Sequence, residues 1–175
     1  MKILIVYSST EGQTRKICQF ALEKLTGAGH SVALMSAEDA DEVDLARYDA
    51  AILAASVHAG RYQGEMLEFA KSHATGLSAT RTLFISVSLA AAGDDTDDWS
   101  ELERIVEIFS AQTGWTPGQV AHVAGAFRFS DYDFFKYWAM RWIESRKDPK
   151  GEPGTDREYT DWDALAALLE DWTAV

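Results

Sequence analysis

The heptapeptide Ser8-Ser9-Thr10-Glu11-Gly12-Gln13-Thr14 stands between a short apolar run and a helical one. Hydroxyls at the mouth of a helix can accept hydrogen bonds from its first free N–H groups and so cap it. They can instead join those N–H groups and the helix dipole in holding an anion with neutral donors. Ser9, Thr10 and Thr14 together with Gly12 exceed what one cap requires. The loop therefore reads as a cradle for a terminal phosphate, built from Ser9, Thr10, Glu11, Gly12, Gln13 and Thr14. It has no Gly-Lys-Ser/Thr run, so it is not a Walker loop. Gly27-Ala28-Gly29 offers no dinucleotide fingerprint either, because it follows a helix and Val32 occupies the third glycine position.

Other chemistry-bearing residues are sparse. Cys18, the single cysteine, excludes an intrachain disulfide and a cysteine zinc site. Its place inside a helical stripe reads as a buried structural thiol. His30, His73 and His122 form no i, i+4 pair, so no metal is expected. No side chain is an evident general acid or base. Asp94, Asp95, Asp97 and Asp98 read as a solvated turn or a surface that recruits a partner.

The elements that must position the loop follow from apolar runs and their punctuation. Ile3–Tyr7, Ser31–Met35, Ala50–Ala55, Thr82–Val87 and Val120–Ala126 read as strands. Helices are expected over Thr14–Leu25, ended by Gly27 and Gly29, and over Gln63–Ala74. A third follows a capping-box pattern at Ser100–Glu103, and a last one follows Thr160-Asp161-Trp162-Asp163. Nearly continuous apolar strands alternating with helices imply a doubly wound α/β fold. Five strands suit a parallel sheet of flavodoxin-like order 2-1-3-4-5, whose ligand crevice lies outside the carboxyl ends of strands one and three.

The chain has 175 residues, the size of a single domain, with 47% hydrophobic and 25% charged residues. That composition is globular. A net charge of -12 argues against nucleic acid. No apolar stretch is long enough to span a bilayer, and the N-terminus has no signal-peptide core, so the expected location is cytoplasmic. One connection, 127–161, is 35 residues long, against about 2–6 for a usual βα or αβ loop. It is an insertion between strand five and the last helix. Phe134, Trp138 and Trp142 fall at i, i+4 spacings within it, with Phe135 next to the first and Arg141 among the basic residues beside them. This pattern fits a peripheral helix on the inner face of the cytoplasmic membrane, a homodimer interface, an aromatic wall over a flat ligand, or packing on the sheet.

The hydroxyl loop resembles the FMN phosphate site of flavodoxins. Ala54-Ala55-Ser56-Val57-His58-Ala59-Gly60-Arg61-Tyr62 and Ser86-Val87-Ser88-Leu89-Ala90 resemble the two flavin-ring loops of that fold. Lys71-Ser72-His73-Ala74-Thr75, Ala124-Gly125-Ala126-Phe127-Arg128-Phe129, and Gly154-Thr155-Asp156 with Glu158-Tyr159-Thr160-Asp161-Trp162 narrow the likeness. On these blocks the whole chain resembles the flavodoxin-like, menaquinone-dependent protoporphyrinogen IX dehydrogenases. The resemblance implies FMN as cofactor, a protoporphyrinogen-like substrate, a quinone acceptor and a place in haem biosynthesis. It adds Ser56, Val57, His58, Ala59, Gly60, Tyr62, Ser86, Val87, Ser88 and Leu89 as ring contacts, with the insertion as the substrate or membrane contact. Where that family usually carries Arg-Tyr-Gly, this chain reads His58-Ala59-Gly60, leaving Tyr62 as the nearest aromatic. His58 is then either a proton carrier beside the flavin or a surface loop histidine. Gly60, lacking a Cβ, is expected to permit close approach of the flavin edge. The contrasting readings are an electron carrier that docks redox partners through its acidic surface and a scaffold that has lost its cofactor.

Overall fold

Ile3, Leu4, Ile5 and Val6 are all fully buried, as successive residues must be in a central strand covered on both faces. They lie in β1, Lys2–Ser8. The computed structural model describes residues 1–127 and 157–174. Within them β2 is Ser31–Ser36, β3 Ala50–Ser56, β4 Arg81–Ser88 and β5 Gln119–Ala124. These five strands form one parallel sheet in the order β2-β1-β3-β4-β5, as the sequence predicts. The register sets Ser8 beside Ala55, Ala55 beside Ser86, and Ser88 beside Ala124. The loops leaving β1, β3, β4 and β5 thus emerge along one edge.

Helix α1 spans Gln13–Gly27 and α5 spans Trp162–Thr173. Their apolar stripes, including Ile17, Ala21, Leu165, Leu169 and Trp172, share a core with Ile3, Ile5 and Ile52 on one sheet face. Cys18 is sealed into that core, and burial pushes its thiol far above the usual range. On the other face α2, Gly64–Ser72, α3, Ala74–Ala79, and α4, Thr96–Thr113, cover Leu4, Val6, Leu53 and Phe84. No helix among the described residues is long and apolar enough to cross a membrane.

Several boundaries differ from expectation, and β5 is one of them, since it ends at Ala124 and leaves the expected Ala126 to a separate ribbon. The single helix foreseen over Gln63–Ala74 is two, broken at His73, whose Nδ1 lies 3.0 Å from the Phe69 carbonyl oxygen. Helix α4 starts at Thr96 because the Asp95 carboxylate accepts from the Asp97 and Asp98 N–H groups. Ser100 lies inside it and donates to the Thr96 carbonyl. The cap of α5 is Asp161, which accepts from Ala164 N–H, and not Thr160. Beyond β5 the chain forms a short antiparallel ribbon of β6, Ala126–Phe127, and β7, Arg157–Glu158.

Candidate functional site

At the carboxyl edge, the chain turns from β1 into α1 through Gly12, whose φ of 86° is left-handed and suits a residue without a Cβ. Ser9 Oγ accepts from Gly12 N–H at 3.0 Å. The N-cap residue, Gly12, has no side chain with which to cap α1. Thr14 is 1% exposed, and its Oγ1 is buried without a hydrogen-bond partner. A buried hydroxyl left unpaired costs about 1–3 kcal/mol. Here it lies in the first turn of a helix whose free N–H groups and dipole favour an anion. Hydroxyl, amides and dipole together fit a phosphate ester.

Beside this loop, residues 57–61 extend from β3. Val57 N–H donates to the Val87 carbonyl at 2.8 Å, tying the segment to β4. His58 and Arg61 exchange both backbone bonds, at 2.8 and 3.1 Å, around Ala59 and Gly60 with φ of 48° and 74°. Two successive positive φ values define a type I′ turn. Apart from its chain neighbours, no atom of the described residues lies within 4 Å of where a Gly60 Cβ would stand. The glycine is required by its dihedral rather than by crowding.

A chain of polar contacts joins the two loops. Gln63 Nε2 lies 3.3 Å from Thr10 Oγ1 and also bonds Ser56 Oγ, which contacts His58 Nε2 at 3.1 Å. Burial lowers the His58 pKa, favouring the neutral ring.

Tyr62 and Ser86 are placed differently from the expected ring contacts. Tyr62 turns inward, 7% exposed, with its ring edge-on to Phe84 and Phe109 at 5.0 and 5.1 Å. Its hydroxyl donates to the fully buried Ser86 at 2.8 Å, and burial pushes its pKa up to about 12. An apolar ring next to a sheet of apolar residues gains more from the core than from the crevice. Val87 is buried too, and Ser88 Oγ accepts from Ala91 N–H at 3.1 Å, shaping the turn after β4 that Leu89 opens. Trp99 Nε1 donates to Gly93 O at 2.8 Å and holds the far end of that loop.

The chain returning from 157 straps the first turns of α1. Gln13 Nε2 donates to Thr160 Oγ1 at 2.9 Å, Lys16 Nζ meets Glu158 Oε2 at 2.5 Å, and Trp162 Nε1 donates to Glu158 Oε1 at 2.8 Å. The Lys16 hydrogen bond is the main reason that Glu158 titrates below the usual carboxylate range.

The crevice thus pairs the hydroxyl-bearing loop before α1 with two adjoining loops on a flavodoxin-like sheet. The flavodoxin domain family profile matches residues 4–154. Protoporphyrinogen IX dehydrogenase (quinone) of Escherichia coli strain K12 is 30% identical over 168 residues, covering 95% of this chain and 91% of that one. This chain belongs to that dehydrogenase family. A Leishmania major protein of the same name is 29% identical, covering 99% of this chain and 75% of its own. Among solved structures, oxidised flavodoxin 2 from Bacillus cereus superposes with a TM-score of 0.55 at 21% identity, covering 83% of this chain and 99% of that one. That likeness speaks for the fold.

In this dehydrogenase-family chain, the edge brings together Ser9, Thr10, Glu11, Gly12, Gln13 and Thr14 from one loop, Ser56, Val57, His58, Ala59 and Gly60 from the next, and Ser88 and Leu89 from the third. The Gln13 side chain is committed to Thr160, so toward the crevice Gln13 has its backbone N–H to offer. Phe134, Phe135, Trp138, Arg141 and Trp142 lie outside the described residues. Sequence reasoning missed Gln63 and Thr160. The first is masked as a helix start, and the second reads as a cap until α1 and the returning chain are seen side by side.

Proposed function

We propose that this flavodoxin-like oxidoreductase binds FMN at the β1, β3 and β4 loops, oxidises protoporphyrinogen IX to protoporphyrin IX, and passes the electrons to a quinone. The supporting observation is the buried Thr14 hydroxyl, unpartnered among the described residues, in a helix start whose N-cap is a glycine, in a chain whose relatives carry that enzyme's name. The flavin, once bound, supplies the redox chemistry that no side chain of the crevice can perform.

The protein's part is binding and orientation. Backbone N–H groups of the first turn of α1, with the Thr14 and Thr10 hydroxyls, hold the phosphate. The type I′ turn and the Ser88–Leu89 segment flank the ring. His58, kept neutral by its burial, takes up a proton released from the porphyrinogen. The aromatic side chains and Arg141 of the insertion meet the substrate, the quinone or the membrane carrying it.

The test is anaerobic mixing of flavin-loaded protein with protoporphyrinogen IX. Oxidation to protoporphyrin removes six electrons and six protons and a flavin takes up two electrons at a time, so flavin bleaching alone is expected at first, with porphyrin fluorescence following when added quinone reoxidises the flavin over three cycles. Flavin that stays oxidised would remove the enzyme reading in favour of an electron carrier. Polar replacements of Phe135, Trp138 and Trp142 should abolish turnover and leave FMN bound.

A further inference from the structure

Gln63 stands at the N-cap of α2 yet does not cap it. Glutamine is too long for that task, which falls to Ser, Thr, Asp and Asn in most helices. Its carboxamide is instead turned between the phosphate loop and the ring loop, with Nε2 in contact with Thr10 Oγ1 and Ser56 Oγ. Both amide hydrogens are thereby used. Its carbonyl oxygen, Oε1, is buried and accepts nothing from the described residues. An amide oxygen carries two lone pairs, and leaving them unpaired away from water is costly. The missing donor is therefore a property of this place in the crevice, between the residues that meet one end of the ligand and those that meet the other.

In a flavin mononucleotide, the part between the phosphate and the ring is a polyol. Its hydroxyls are donors, and of the two buried polar atoms without a partner at this edge among the described residues, Gln63 Oε1 can only accept whereas Thr14 Oγ1 can donate. We infer that Gln63 is a specificity-determining residue for the polyol chain of the flavin: its Oε1 accepts from a chain hydroxyl while its Nε2 holds the Thr10 and Ser56 loops at the spacing that the chain spans. The inference rests on the reading of this crevice as a flavin site. It adds the recognition of the middle of the ligand to that of its two ends.

The experiment is a titration of the apoprotein, followed by flavin fluorescence, with two probes. One is FMN, and the other is the same isoalloxazine phosphate with an unhydroxylated pentyl chain. The parent protein should prefer FMN by about tenfold or more, the size of one good hydrogen bond of about 1.4 kcal/mol. Gln63→Leu removes acceptor and donors, and should bring the two affinities within about twofold of each other. Gln63→Glu keeps an acceptor oxygen. It should bind both probes more weakly, through repulsion of the phosphate, yet retain the preference for FMN, which a merely structural role would not predict. If Gln63→Leu does not fold, the ratio in Gln63→Glu still decides. A parent preference undiminished in Gln63→Leu, or lost in a folded Gln63→Glu, overturns the inference while leaving the flavin site standing. A parent protein that binds neither probe overturns both.

Discussion

Thr160 Oγ1 receives the Gln13 side-chain N–H at 2.9 Å and donates its own proton to the Ala124 carbonyl at 2.7 Å. One buried hydroxyl joins the start of α1, the end of β5 and the chain that returns from the insertion. Thr160→Val keeps the shape and removes both bonds, leaving the Gln13 amide and the Ala124 carbonyl each short of a partner. The expected loss of stability is about 1–3 kcal/mol, read as a lower denaturant midpoint with an unchanged slope. Thr160→Ser should recover most of it. An unaltered midpoint in the valine variant would dismiss the strap as a source of stability.

Thr14 should give effects of opposite sign on stability and on binding. Thr14→Val deletes a hydroxyl that has no partner among the described residues, so the apoprotein should become more stable, by about 1 kcal/mol. The same variant loses a donor to the phosphate, and flavin affinity should fall by about tenfold or more, since a hydrogen bond to a charged group contributes about 1.5–3 kcal/mol. Thermal melts of the apoprotein and fluorescence titration check the two halves. Affinity and stability falling together would mark Thr14 as a core residue only.

The turn after β3 carries strain at one residue and relief at the next. Ala59 is the only described non-glycine residue with positive φ, a conformation that costs an L-residue about 1–2 kcal/mol. Ala59→Gly should raise the denaturation midpoint modestly, and Gly60→Val should lower it, since Gly60 φ is 74°. Potentiometry on the flavin-loaded proteins should show that Gly60→Val also shifts the reduction potential. Equal midpoints across parent and both variants would mean that the turn relaxes freely.

Acidification should weaken the fold through its half-buried histidines. His122 Nδ1 is buried without a partner, its ring stands edge-on to Trp99 at 5.6 Å, and burial lowers its pKa from 6.5 while Glu103 opposes the shift. His58 is lowered by burial as well. Between the lowered value and 6.5 the unfolded chain binds protons that the folded one does not, so stability rises with pH across that window. His122→Phe keeps an aromatic against Trp99 and removes one titration. Denaturant curves from about pH 7 to about pH 5 should show a smaller loss in the variant than in the parent. Identical losses would exclude His122.

The sheet was legible because its strands are buried on both faces. Ile3 to Val6, Ala50 to Ala55 and Leu83 to Ile85 read as strands on composition alone, and these are the fully buried residues. The turn into α1 was legible because a glycine among hydroxyls before an apolar helical stripe marks a helix mouth, and Gly12 with its left-handed φ is that turn. Tyr62 misled because its position is counted along the chain. Burial of its ring between Phe84 and Phe109 depends on where α4 lies over the sheet. Gln63 and Thr160 act through partners far away in sequence, 53 residues for Gln63 and Thr10 and 147 for Gln13 and Thr160, which no local pattern encodes.

The pairing of Ala126 with Glu158 and of Phe127 with Arg157 makes the long connection a cassette. Antiparallel partners stand about 5 Å apart, so the chain departs and comes back at neighbouring points, and a two-residue hairpin turn could close the same gap. The five strands and the helices on both faces of the sheet all lie on either side of that gap among the described residues. A lineage could therefore exchange the contents between residues 127 and 157 without redesigning the body that carries them, and an electron carrier and a substrate-specific dehydrogenase can share one scaffold.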